Sequence, residues 1–203
     1  MPASFLLPSP IGDKEDHPKW TLTTNGEFTI SSLWNHLRTH FPKVTWHKSI
    51  WFSGHIPKCS LISWVAIQNR LYTEDRLVMF GTKSISCCSF CNGSESHNHL
   101  FFNCPFTSQV WDQVLGLINV SWSARAWSCW IDHISTIRGR TLKNLITKLV
   151  FITSVYHIWL ERNLRKFQNI ACPVPVVVSK IYSVVRLKLL SLRDLPHGPQ
   201  YHC

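Results

Sequence analysis

Four of the eight cysteines fall in one stretch, CCSFCNGSESHNHLFFNC, at residues 87–104, together with two of the eleven histidines. Thiolate sulfur and imidazole nitrogen together make the donor set that zinc favours. Cys88, Cys91, His99 and Cys104 give the spacing C-x2-C-x7-H-x4-C. Two cysteines separated by two residues can face one site, because the turn between them folds back on itself. A histidine and a cysteine returning a few residues later complete a tetrahedron. Four protein ligands leave no open coordination position, so the expected role of this one Zn2+ is structural. Cys87 could stand in for Cys88, and His97 for His99. Cys88 preserves the two-residue gap to Cys91, whereas His97 would lengthen the last gap to six residues. Asn92-Gly93 is a turn pair, with Gly93 expected to let the chain reverse.

Disulfides are the competing use of these thiols. The opening MPASFLLPSPIGDKED has no basic n-region, and prolines interrupt its apolar run, so it does not read as a secretory signal. The expectation is a reducing intracellular setting, nucleus or cytoplasm, in which metal binding outranks disulfide formation. Cys59, Cys129, Cys172 and Cys203 read as small buried or terminal residues without a role. No run of about 18 uninterrupted apolar residues appears, so no membrane span is expected. The longest apolar run, 149–160, is broken by Thr153, Ser154, Tyr156 and His157.

Enzyme chemistry finds little support. H-E-x-x-H, G-x-S-x-G and the phosphate-cradling G-x-x-x-x-G-K-[ST] are absent. The deaminase order, H-x-E before P-C-x-x-C, is reversed here. The 11 acidic residues form no cluster suited to two-metal chemistry, and Asp13, Glu15 and Asp16 read as solvated charge near the N-terminus. The reading is a non-enzyme with no small-molecule substrate.

The elements that must position the cluster read as mostly helical. Residues 1–19 form a polar, Pro-rich segment, 20–120 a zinc-binding domain and 121–203 a basic helical extension. Asn25-Gly26 predicts a small β-hairpin, with strands around Thr21, Leu22, Thr23 and around Phe28, Thr29, Ile30. Ser31 or Ser32 is expected to cap a helix carrying Leu33, Trp34, Leu37 and Phe41. Pro57 suits a helix first turn, and Leu61, Trp64, Val65, Gln68 and Leu71 share one helical face. Thr73 caps a short helix whose Glu74 and Asp75 suit its positive end, and Gly81 closes it. After Pro105, Val110, Trp111, Val114, Leu115 and Ile118 form an apolar stripe. The stretch NVSWSARAWSCW, 119–130, reads as a Trp-rich loop. A long helix begins at Thr141, Pro173 and Pro175 interrupt the chain, and a last helix spans about 176–193. The fold class expected is a mostly α domain with a small β-hairpin and a zinc-knuckle-like CCHC loop.

The net charge of +10 is concentrated. Residues 136–193 hold eleven Lys and Arg and one acid, Glu161, and the remainder of the chain is neutral. Such a basic face attracts polyanions, nucleic acid first. Arg162, Arg165, Lys166, Lys180, Arg186 and Lys188 are the candidate phosphate contacts, with a solvated helix face as the plainer alternative.

A resemblance joins these features. The residues Trp51, Pro57, Lys58, Trp64, Arg70, Leu71, Thr73, Asp75, Arg76 and Leu77 precede Cys88, Cys91, Glu95, His99, Leu100, Phe101, Cys104 and Trp111. Together they resemble the zinc-binding domain that follows the reverse transcriptase in plant non-LTR (LINE-type) retroelements. YHIWLERNLRKF resembles the tail that follows this domain in such chains. The resemblance implies the four ligands chosen above and a role in binding element RNA or target DNA beside a polymerase. No Asp-Asp dipeptide is present, so the polymerase's paired acids are not carried here. The chain reads as a C-terminal piece of such a polyprotein, or a relic of one. A structural domain that docks a protein partner through its apolar faces, with tryptophans near Trp122–Trp130 exposed for it, is the second expectation.

Overall fold

The computed structural model describes residues 18–39, 41–42, 44–120, 126–137 and 141–193. The expectations for Asp13, Glu15, Asp16, Trp122 and Cys203 lie outside them. The described residues contain eight α-helices, one π turn and no strand. The chain divides into two compact units, Met1–Lys43 and Val44–Cys203.

In the first unit, α1 spans Ile30–Leu37. The hairpin expected ahead of it does not form. A two-residue hairpin turn of the favoured type needs positive φ at both central residues. Here Gly26 has φ +74°, but Asn25 is not among the positive-φ residues. Gly26 instead closes a tight loop, donating its N–H to Thr23 O and accepting from the Trp20 N–H at 2.8 Å. The second expected strand is consumed by α1, because Thr29 is its cap and accepts from the Ser32 N–H at 3.1 Å. Helix capping by Thr29, two residues before the expected position, outcompetes strand pairing.

The second unit is built on α7, Leu142–Gln168, which is capped by Thr141 and ended by Asn169 in the left-handed region at φ 54°. Packed with it are α2 (His47–Ile50), α3 (Pro57–Ile67), α5 (Pro105–Leu117) and α8 (Val174–Arg193). The described residues of 126–193 contribute Trp130, Ile134, Leu149, Phe151 and Ile181 to the same hydrophobic core as Ile50, Leu100 and Trp111. α4 covers Glu74–Met79 and is closed by Gly81 at φ +69°.

Of the face read from the sequence, Trp64 and Val65 pack half-buried against the core and Leu71 is buried, but the fully buried residues of α3 itself are small. Its buried residues are Cys59, Ser60, Ser63 and Ala66, while Leu61 is 49% exposed. Small side chains let α3 lie close to α7. The serines are satisfied by backbone carbonyls, Ser60 Oγ donating to Ile50 O at 2.8 Å and Ser63 Oγ to Ile152 O at 3.4 Å. The stretch expected as a Trp-rich loop contains the start of α6, Trp127–Thr136. Trp130 is buried and stacks on Phe151 at 3.9 Å, and Trp127 packs edge-on to Phe101 and Phe102. These two tryptophans are core anchors rather than an exposed docking surface. Trp111 completes the aromatic cluster and donates its indole N–H to Phe101 O at 2.7 Å.

Candidate metal centre

The structure gathers Cys88, Cys91, His99 and Cys104 so that their donor atoms all lie within 4.8 Å of one another. A tetrahedral zinc with Zn–S near 2.3 Å requires donor separations of roughly 3.8 Å. Cys88 Sγ and Cys104 Sγ are 3.9 Å apart, and Cys91 Sγ lies 3.2 Å from His99 Nε2. The donor set and the spacing both fit one structural Zn2+.

Local backbone chemistry explains the geometry. The first two ligands sit on a turn in which Asn92 N–H donates to Cys88 O at 3.0 Å and Cys88 N–H to Gly93 O at 2.7 Å. The chain reverses at Asn92, which takes φ +60°, and not at Gly93 as expected. Asn tolerates this region better than most residues. The Phe90 N–H points at Cys88 Sγ at 3.5 Å. The second pair flanks a single π turn, His99–Asn103, where the Cys104 N–H bonds His99 O at 2.8 Å. That wider turn sets the two ligands five residues apart on one side, a use of π geometry common at functional sites. Pro105 then begins α5, and the amides of Phe106 and Thr107 bond the Cys104 sulfur. A hydrogen bond between the two sulfurs raises the Cys88 thiol and lowers that of Cys104; burial adds to the rise at Cys88, and the Phe106 and Thr107 amides add to the fall at Cys104. Bound zinc would hold both as thiolates.

The alternatives separate cleanly. Cys87 is exposed, with its sulfur near Asn92 O at 3.7 Å and outside the cluster. His97 is buried, stacked on Trp127 at 4.9 Å and edge-on to Phe101 at 5.3 Å. Burial holds its pKa down at about 4. Cys59 is likewise buried and its thiol is pushed up to about 11. Cys129 and Cys172 are half-buried free thiols.

The loop is tied to α7 by a buried ion cluster that the spacing of residues did not disclose. Glu95, fully buried, accepts from Arg162 Nη2 at 2.7 Å and from Arg162 Nε at 3.3 Å. It also accepts the Glu74 backbone N–H at 2.9 Å, which anchors the start of α4. Glu74 pairs with Arg162 at 3.3 Å, with Lys83 at 2.8 Å and with Lys166. Burial pushes the Glu74 carboxyl up, but hydrogen bonds from Lys166 and Lys83 outweigh it and hold the group below its ordinary value. Arg165 extends the clamp, lying 4.3 Å over Phe106 and 5.0 Å over Phe90, which stack on each other at 4.7 Å. It also donates to Glu161 at 2.9 Å and to Cys172 O at 2.8 Å.

Three of the six expected phosphate contacts are therefore occupied internally. Arg162 is 1% exposed and its charge is fully engaged by Glu74 and Glu95. Arg165 and Lys166 are half-buried in the same clamp. Lys180 and Arg186 are exposed on α8, and Lys188 is half-buried there. Glu95 could have been noticed through the resemblance, but its partner lies 67 residues away and no local pattern links them.

Residues 28–111 match the family model described as zinc-binding in reverse transcriptase. The match includes all four ligands and Glu95, so this segment is similar to a reverse-transcriptase zinc-binding domain. No curated protein and no solved structure matches the chain. No helix among the described residues is long and apolar enough to cross a membrane.

Proposed function

We propose that this protein is a zinc-folded module, derived from a LINE-type retroelement polyprotein, that binds RNA or DNA through the phosphate backbone without catalysis. The observation that supports it most is the charge of the two C-terminal helices. Their only carboxylate, Glu161, is 3% exposed and engaged by Arg165, while Lys143, Lys180 and Arg186 face solvent. A surface with cations and no exposed acid is the electrostatic footprint of polyanion binding. Four protein ligands on the metal leave no position for a reacting water, which supports a non-catalytic role. A nuclear or cytoplasmic setting suits the free thiols.

The test is fluorescence anisotropy with labelled single-stranded RNA and DNA over a salt series. The reading predicts a log–log salt slope of about −2 to −4, since single strands lose roughly 0.7 per phosphate contact. A Lys180→Glu/Arg186→Glu/Lys188→Glu variant should bind at least about tenfold more weakly. Binding that is absent at low salt, or indifferent to the triple variant, would refute it. One observation favours a second reading, a zinc-stabilised scaffold for protein contacts. Arg162, Arg165 and Lys166, half of the expected contacts, serve internal packing instead.

A further inference from the structure

An apolar trough of about 560 Å3 runs between α5, the N-terminal half of α7 and α8. Thirteen of its fifteen lining residues are aliphatic, Leu145, Ile181 and Val185 among them, and the other two are Tyr182 and Arg186. At one end, Leu192 approaches Gly54 so closely that a Cβ there would meet Leu192 Cδ1 at 3.0 Å.

The openness of the walls decides what class of occupant fits. Leu117 is 60% exposed, Leu142 64% and Leu190 43%. A small-molecule site encloses about 70–90% of its ligand. Walls this exposed would leave an acyl chain wet along one side. An α-helix, about 10–12 Å across with its side chains, covers a trough of this kind with residues at i, i+3, i+4 and i+7.

Charge then selects among helices. Arg186 lines the trough, and exposed Lys143 lies on α7 beside Leu142. No exposed carboxylate offsets them on α7 or α8, because Glu161 is buried in its pair with Arg165, and the exposed Asp112 of α5 does not line the trough. A second copy meeting this trough through its own trough would set Arg186 against Arg186. We propose that the trough docks an amphipathic helix of a protein partner, with a Leu/Ile/Phe stripe flanked by Asp and Glu. This goes beyond nucleic-acid binding and does not depend on it. It does place Arg186 where an acidic helix and a phosphate backbone would compete.

The test uses the full, zinc-loaded chain and two fluorescein-labelled probe peptides of roughly 18 residues, about 27 Å as a helix. Both carry the same Leu/Ile stripe, one with Glu flanks and one with Lys flanks. The Glu-flanked peptide should bind at least about tenfold more tightly. Leu142→Glu changes an exposed rim position and should abolish binding while one zinc per chain is retained. Arg186→Glu should narrow or reverse the preference between the two peptides. Failure of both peptides to bind, equal binding of both, or indifference to Leu142→Glu would overturn the proposal. A dimer in sedimentation that Leu142→Glu dissolves would overturn it too, by identifying a second copy as the occupant.

Discussion

Cys87 and Cys88 are adjacent and chemically identical, yet only the Cys88 sulfur reaches the metal site, because the Asn92 turn points it inward. Cys87→Ser should keep one zinc per chain and unchanged unfolding, whereas Cys104→Ser should lose both the metal and the cooperative transition. Zinc content and urea unfolding of the two variants check this pair of outcomes. The choice of Cys88 and His99 was legible from spacing, since both keep the gaps compact. The internal ion pairs of Arg162, Arg165 and Lys166 were not legible, because a cation on an amphipathic helix gives no local sign of a distant carboxylate. Arg162→Met removes the positive centre of the Glu74–Glu95 cluster and leaves Glu95 buried without a counter-charge. Breaking a buried pair from one side costs about 3–5 kcal/mol. Urea midpoints at saturating zinc should show a loss in that range, and a loss under about 1 kcal/mol would show that the cluster does not hold the loop to α7.

Helices α5, α7 and α8 were readable because their large apolar residues recur with helical period and their ends carry strong signals, Pro105, Thr141 and Pro173 among them. Helix α3 was readable as a helix, but the small residues that make its closest contact were not. Periodicity weighs Leu, Trp and Val, whereas close approach to α7 is made by Cys59, Ser60, Ser63 and Ala66. Ser63→Leu should overpack this contact and destabilise the protein by about 1–3 kcal/mol. Leu61→Ser, at a 49% exposed position of the same helix, should stay within about 0.5 kcal/mol. Thermal unfolding of both variants checks that the contact with α7 runs through the small residues, and the reverse ranking would contradict it. The missing hairpin has the same kind of origin. Asn25-Gly26 is a hairpin signal only when flanking strands can pair, and here Thr29 starts a helix instead.

At the scale of the whole molecule, the Glu74–Glu95–Arg162 cluster joins the zinc loop and α4 to α7, so acid should act on the fold through more than the ligands. His157 is buried on α7, and its pKa is pushed down from 6.5 to about 4 by burial, then by Lys180 of α8 and Lys58 of α3. Its stabilising effect is fully present above pH 6.5 and is lost as pH falls towards 4, because the unfolded chain takes the proton first. The shift corresponds to at most about 3 kcal/mol. His157→Leu should reduce, without abolishing, the pH dependence of the urea midpoint between pH 6.5 and 4, since His97 is also held near 4, and an unchanged slope would count against this account. The most direct measurement is zinc per chain by mass spectrometry of metal content, with folding followed as a chelator is added. The account predicts one zinc per chain, loss of cooperative folding with its removal, and loss of the metal in each of Cys88→Ser, Cys91→Ser, His99→Ala and Cys104→Ser. A metal-free, folded protein, or zinc retained in all four variants, would contradict it.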